Sequence, residues 1–266
     1  MVGLSTALLC RSGFTEGVIV GAPGNGRSDA FFIPPWRSFC VMEVVLIRHG
    51  EPEWARDGFN VDDPPLTQRG REQAQRLADR LAGETFDEIL VSPLRRARET
   101  AQPLLQHRQA AEAVEPWLEE IRNPIWQGTP VEKAQAAFRA DRALSADHRW
   151  NGLPGGEPVR DFVDRIHRGM GGFLTARGLA PNRPDYPVWR IPEPGRRIAF
   201  IAHAGTNAVV ICHLLGLTPV PWEWERFVLG HASISRLEAL AVGDGFAFSL
   251  SRLSDVEHLT EDQRTR

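Results

Sequence analysis

The sequence predicts an α/β fold of three layers, with helices on both faces of a mostly parallel central sheet. Two observations carry this. Residues 44–47, 86–91 and 197–202 are short runs rich in β-favouring apolar residues, the mark of strands buried on both faces. Between and after them lie stretches with apolar residues at helical spacing, the alternation that builds parallel sheets.

The composition sets the bounds. A chain of 266 residues, 42% hydrophobic and 24% charged, is of ordinary globular type and long enough to bury a sizeable core. Its net charge of −3 lacks the basic footprint of a nucleic-acid binder. Cys10, Cys40 and Cys212 are odd in number, far apart and without metal-ligand spacing. They argue for a reducing, cytoplasmic compartment and against a disulfide framework. No apolar run approaches membrane-spanning length. No His-x-x-His, carboxylate cluster or cysteine pair implies a metal, and no cofactor is expected.

Gly, Ser and Pro interrupt every apolar run in residues 1–41. The first basic residue is Arg11, so no secretory signal is read there. Met42 directly precedes the first strand. Residues 1–41 are therefore expected to be a disordered leader or an over-extended reading frame, 42–255 a single domain, and 256–266 a polar, frayed tail.

Each element has a local reason. Thr67 caps a helix marked by Ala74, Leu77, Ala78 and Leu81 and closed by Gly83. Ser92-Pro93 reads as an N-cap followed by a proline at the first helical position. It opens a helix that carries Arg95, Arg96 and Arg98 near its start. Leu94, Ala97 and Ala101 face the core, leaving Arg96 free to reach the sheet edge while Arg95 and Arg98 suit a solvated face. Residues 113–120 are a short extended piece, 131–143 an exposed helix and 152–156 a loop. Val159, Phe162, Val163, Ile166, Met170 and Phe173 mark a long amphipathic helix. The segment 181–195 holds five prolines and reads as an irregular insertion, either a flap over the site or a surface loop. A helix spans 206–215, and 233–241 with 246–253 form a closing hairpin around Gly243-Asp-Gly245.

The chemistry gathers at strand ends. The first strand runs into Arg48-His49-Gly50, at the carboxyl edge where open α/β sheets bind ligands. His49 can serve as nucleophile and leaving group near neutral pH, and Arg48 offers a planar fork for phosphate. Gly50 lets the chain turn and a ligand approach the backbone. The strand at 197–202 ends the same way, in His203-Ala-Gly205. Phosphoryl transfer needs a nucleophile, fixed cations, a second donor to hold the transferring group, and an acid for the leaving alkoxide. His49, the pair Arg48 and Arg96, His203, and a glutamate meet these needs in turn.

Arg48-His49-Gly50-Glu51, the segments 65–74 and 92–101, and His203-Ala-Gly205 together resemble the histidine phosphatase superfamily, most closely its phosphoglycerate mutase-like branch. Gly155-Gly-Glu157 and Ala232-Ser-Ile234 also resemble family segments, and the likeness runs from about 42 to about 255. It implies the phosphoglycerate mutase-like three-layer fold. It further implies that His49 is phosphorylated in turnover and that Arg48, Arg96, His203 and the Ala204 amide form the phosphate pocket. The family's proton donor lies in a Leu-x-Glu segment, which Leu118-Glu119-Glu120 matches, so Glu120 is chosen over Glu119. Three departures stand out. Ala55 follows Trp54 where the family often has asparagine, and Asn60 is the candidate substitute. Asn123-Pro124 stands where Phe-Gly is usual. Ala204 replaces the more common glycine. The implied activity is metal-independent hydrolysis of a small-molecule phosphomonoester, with no nucleic-acid or membrane partner. The alternatives are mutase-type transfer back to product, or a non-catalytic phosphoester-binding protein of the same fold.

Overall fold

In β1 (Met42–Arg48) every residue up to Ile47 is buried, because the strand lies mid-sheet with a core on each side. Met42, Val44 and Leu46 enter one apolar cluster, and Val45 and Ile47 enter the other. A strand whose two faces are both apolar must be covered by two layers of helix, so β1 sets the three-layer arrangement. The structure is a computed structural model that describes residues 42–183, 185–192 and 195–266. The leader expected over 1–41, with Cys10 and Cys40, lies outside the described residues.

From β1 the chain passes through a small hairpin, β2 (Ala55–Arg56) and β3 (Phe59–Asn60), to α1 (Gln68–Leu81), β4 (Glu88–Val91), α2 (Arg95–Arg108) and β5 (Ala113–Val114). Then come α3 (Val131–Arg142), α4 (Ala146–Arg149), α5 (Val159–Ala176), β6 (Ala180–Pro181) and β7 (Trp189–Arg190). The last part holds β8 (Arg196–Ala202), α6 (Ala204–Leu215), α7 (Glu223–Arg226), β9 (Ile234–Val242) and β10 (Gly245–Asp255). The main sheet has the order β5-β4-β8-β1-β9-β10-β7-β6. β5, β4, β8 and β1 are parallel, and every pairing beyond β1 is antiparallel. The sheet is therefore mixed rather than mostly parallel. The β9–β10 hairpin and the Pro-rich segment supply its antiparallel half. Helices α1 and α2 cover the Val45/Ile47 face, while α5 and α6 cover the Val44/Leu46 face.

Three local expectations change, and the open choice between flap and surface loop for the Pro-rich segment is decided for its described residues. Ser92 does not cap α2, which begins later, after Leu94 in an extended conformation. The Ser92 hydroxyl goes elsewhere, to His203. The Pro-rich segment is not a flap. Trp189 pairs with Phe246 on the far edge of the sheet, and Pro187 packs against Gly216 at the C-terminal end of α6. The end of α6 that faces the site is the opposite one. Residues 256–266 are docked rather than frayed. Leu259 and Gln263 are buried, the Gln73 amide donates to Gln263 O at 2.6 Å, and His231 N–H donates to Thr265 O at 3.0 Å. Finally, the smallness of Gly50 serves packing rather than a ligand. A Cβ there would meet Gly70 O at 2.6 Å, and one on Gly70 would meet Glu51 O at 2.2 Å. The first turn of α1 lies directly against the loop after His49.

Candidate active site

Parallel β1 and β8 are neighbours in register, with Arg48 opposite Ala202, so their carboxyl ends deliver His49 and His203 side by side. The two rings lie 5.1 Å apart between centroids and both are buried. His49 Nδ1 stands 2.7 Å from Gly50 O. A carbonyl only accepts, so Nδ1 carries the hydrogen and Nε2 keeps its lone pair. The Arg96 Nε–H points at that nitrogen from 3.3 Å. Burial first, then the positive charges of Arg96 and of neighbouring groups, hold the His49 pKa well below its ordinary value, which leaves the ring neutral. His203 is held from its other nitrogen. Nε2 is 2.7 Å from Ser92 Oγ, which also accepts the Leu94 N–H at 3.4 Å. A hydroxyl with two lone pairs and one proton can give to or accept from Nε2, and Nδ1 makes no hydrogen bond to the protein. Burial, then Arg96 and Arg48, also push the His203 pKa well below its ordinary value.

Arg48 and Arg96 complete the cluster. Arg48 donates from Nη1 to Leu229 O at 2.5 Å and from Nη2 to His231 Nε2 at 2.9 Å. Arg96, on the first turn of α2, is buried beneath the Trp54 ring at 4.7 Å, with Asp63 3.8 Å away. Desolvation brings both arginines down to about 10, so both stay charged at neutral pH. Arg95 and Arg98 pair with Glu99 and Glu112 on the solvated face, as their positions on α2 predict.

The adjacent glutamates separate. Glu119 pairs with Arg122 at 2.7 Å on the surface. Glu120 turns inward, accepting the Gly205 N–H at 2.9 Å and its neighbouring Ile121 N–H at 3.0 Å. Gly205 makes this possible, since a Cβ there would meet Glu120 Oε1 at 2.5 Å. The Arg165 guanidinium fixes the segment by donating to Trp117 O, Glu119 O and Glu120 O. Ala204 opens α6 with negative φ, so the absence of glycine costs nothing. Its N–H is one of the first-turn donors that no helix carbonyl receives.

His49, His203, Arg48, Arg96, Ala204 and Glu120 are thus brought to one edge of the sheet. Asn60 is not among them. Its amide donates to Thr129 O at 3.0 Å and to Pro130 O at 2.9 Å, tying β3 to the loop before α3. Two residues of the site were not expected. Ser92 orients His203. His231 is buried 5.6 Å from the His49 ring and supports Arg48. A signal for His231 exists in the sequence: a third histidine flanked by small residues, Gly230-His-Ala232, just ahead of a strand. Because β9 runs antiparallel to β1, its beginning lies at the edge where β1 ends.

A neutral imidazole with an unprotonated Nε2, two buried guanidiniums, a helix-first N–H and a carboxyl at a helix N-terminus define a centre for handling phosphoryl groups. A profile of the histidine phosphatase superfamily (branch 1) matches residues 44–248, and the chain belongs to that superfamily. Among its relatives is the probable phosphoglycerate mutase GpmB of Photorhabdus laumondii, 28% identical over 206 residues that cover 74% of this chain and 85% of the relative. A mycobacterial glucosyl-3-phosphoglycerate phosphatase, solved with inorganic phosphate, is 26% identical, with a TM-score of 0.60 and coverage of 82% of this chain and 99% of that one. The α-ribazole phosphatase of Shigella flexneri, 23% identical over 80% of this chain and 96% of its own, shares the fold at a TM-score of 0.60. The chain is a phosphoryl-transfer enzyme of this superfamily. Among the described residues no helix is long and apolar enough to cross a membrane.

Proposed function

We propose that the protein is a metal-independent phosphomonoester hydrolase working through a phosphohistidine on His49. The observation that carries this is the fixed tautomer of His49, whose unprotonated Nε2 accepts from the Arg96 Nε–H at 3.3 Å. In the first step Nε2 attacks phosphorus in line as the P–O bond to the leaving alcohol breaks. The Glu120 carboxyl gives its proton to that oxygen. Arg48, Arg96, His203 Nδ1–H and the Ala204 N–H hold the three equatorial oxygens. In the second step water attacks phosphorus and the P–N bond breaks. Glu120 takes the water proton, and His49 returns neutral as phosphate leaves. A reducing, cytoplasmic setting agrees with the cysteine pattern.

Hydrolysis is favoured over mutase transfer by the rim. A mutase must hold a second anionic group, yet Arg95, Arg122 and Arg165 around the site are each paired with a carboxylate. The rim also carries the apolar surface of Trp54, 45% exposed over Arg96, which suits a leaving group without a second phosphate. The test is phosphate release from a broad panel of phosphomonoesters in EDTA, for wild type and His49→Ala. Release by wild type with acid-labile label on the protein, both lost in the variant, is the expected result. Equal release by the two proteins would remove His49 from the centre of the reaction. Phosphoglycerate interconversion without net release would favour the mutase.

A further inference from the structure

We infer that Thr265 is a positioning residue for the phosphate pocket, joining the supports on the two sides of the nucleophile into one hydrogen-bonded ring. This rests on the assignment of Arg48 to phosphate binding made above. His49 lies between Arg48 and Glu51 in the chain, and each of these flanks has one buried support. Arg48 leans on His231 through Nη2, and the Glu51 N–H donates to Gln73 Oε1 at 2.7 Å. Both supports meet at the Thr265 hydroxyl, with His231 Nδ1 at 2.8 Å and Gln73 Nε2 at 3.1 Å.

Donor and acceptor roles close without conflict. A guanidinium only donates, so His231 Nε2 accepts from Arg48 and its Nδ1 carries the hydrogen. The Gln73 amide nitrogen also only donates, since its oxygen is taken by Glu51 N–H. Thr265 Oγ1 therefore accepts twice, which its two lone pairs allow. Backbone bonds fix the hydroxyl in place: His231 N–H donates to Thr265 O at 3.0 Å, and Gln73 holds Gln263 O at 2.6 Å. Burial, then the charges of Arg48 and Arg96, push His231 down to about 3. The ring is neutral at working pH, and its lone pair stays available to Arg48. Without the Thr265 acceptor the Nδ1–H loses its partner, and only the Arg48 contact is left to orient the imidazole. The other tautomer would set an N–H against the Arg48 N–H.

The test uses the full chain with Thr265→Val, which keeps the shape and removes the acceptor, and Thr265→Ser, which restores it. Inorganic phosphate binding is read by titration calorimetry, and p-nitrophenyl phosphate turnover by steady-state kinetics. The expected result for Thr265→Val is a roughly five- to tenfold rise in phosphate Kd and in KM, the scale of one buried hydrogen bond, with a smaller change in kcat. Thr265→Ser should return both within about twofold. Unchanged Kd and KM in a folded Thr265→Val protein would overturn the inference, as would a loss that Thr265→Ser fails to repair. Should Thr265→Val not fold, His231→Gln, which can accept from Arg48 and donate to Thr265, is compared with His231→Leu. Equal phosphate affinity in that pair overturns the inference, and weaker binding by the leucine variant supports it. The phosphate titration keeps this separate from the hydrolase reading. A wild type that binds phosphate but hydrolyses nothing would sink the hydrolase and leave the Thr265 comparison valid, whereas one that binds no phosphate would overturn both.

Discussion

The ends of β1 and β8 look alike in sequence, each an apolar strand running into a histidine and small residues, yet the structure holds the two rings by opposite nitrogens. His49 is fixed at Nδ1 by its neighbour's carbonyl and presents Nε2 as a lone pair. His203 is fixed at Nε2 by Ser92 and leaves Nδ1 without a protein partner. One ring can attack and the other can hold. The difference teaches that an identical local motif acquires its role from the group behind it. The two arrangements also differ in fragility, since a backbone carbonyl cannot be mutated away and the Ser92 hydroxyl can.

The comparison can be broken hardest at its attacking member. His49→Ala should cut kcat by about 10⁴-fold or more, as loss of a nucleophile does, measured by single-turnover phosphate release. His203→Ala should keep the phosphohistidine route and lose about 10²- to 10³-fold in kcat, the scale of one lost oxyanion donor. If the two alanine variants were equally dead and neither took up acid-labile phosphate, the division of roles would fail. Glu120→Gln probes the carboxyl held at the start of α6 by the Gly205 N–H. It should lose about 10²-fold with alkyl phosphates and far less with p-nitrophenyl phosphate, whose leaving group needs no proton. Equal losses on both esters would exclude Glu120 as the donor. Ser92→Ala sharpens the comparison further. Removing the hydroxyl that holds His203 Nε2 should cost about 0.5–1.5 kcal/mol, a three- to tenfold fall in kcat/KM with little change in labelling of His49.

A further effect belongs to stability and is shared by both rings. His49 and His203 have pKa values held well below the ordinary 6.5, with His213 pushed down to about 4 and His231 to about 3, burial being the largest cause in each. The unfolded chain takes up protons near 6.5 while these folded rings do not. Their burial therefore leaves stability intact above about pH 6.5 and lowers it as pH falls below that value. The urea midpoint should drop between pH 7.5 and pH 5, and a flat midpoint would contradict the burial of these rings.

What could be read in advance follows the range of the interactions. β1, β8, the Thr67 cap and the hairpin are local patterns, and the structure has each of them, with Thr67 Oγ1 accepting the Gly70 N–H at 2.9 Å. Glu120 was chosen by likeness to a family, and the structure turns it inward while Glu119 faces solvent. Ser92 was misread because a serine before a proline is a good local cap, and a buried partner 111 residues away outweighs that preference. His231 and Thr265 escaped for the same reason. Their roles exist only through Arg48 and Gln73, 183 and 192 residues distant. Asn60 was proposed for a missing amide, but its donors are used within its own loop.

The placement of β9 beside β1 has a bearing on how the protein is made. Arg48 is among the first described residues to leave the ribosome, yet both of its supports, Leu229 and His231, lie more than 180 positions later. Contacts so distant in the chain form late, after the shorter-range helices and strands. A nascent chain halted before residue 229 would carry His49 without a seated Arg48. Phosphate cannot then act as a folding ligand for the early fragment, and acquisition of phosphate affinity should coincide with completion of the sheet. The strand that ends in Arg48 and His49 is translated early and matures last.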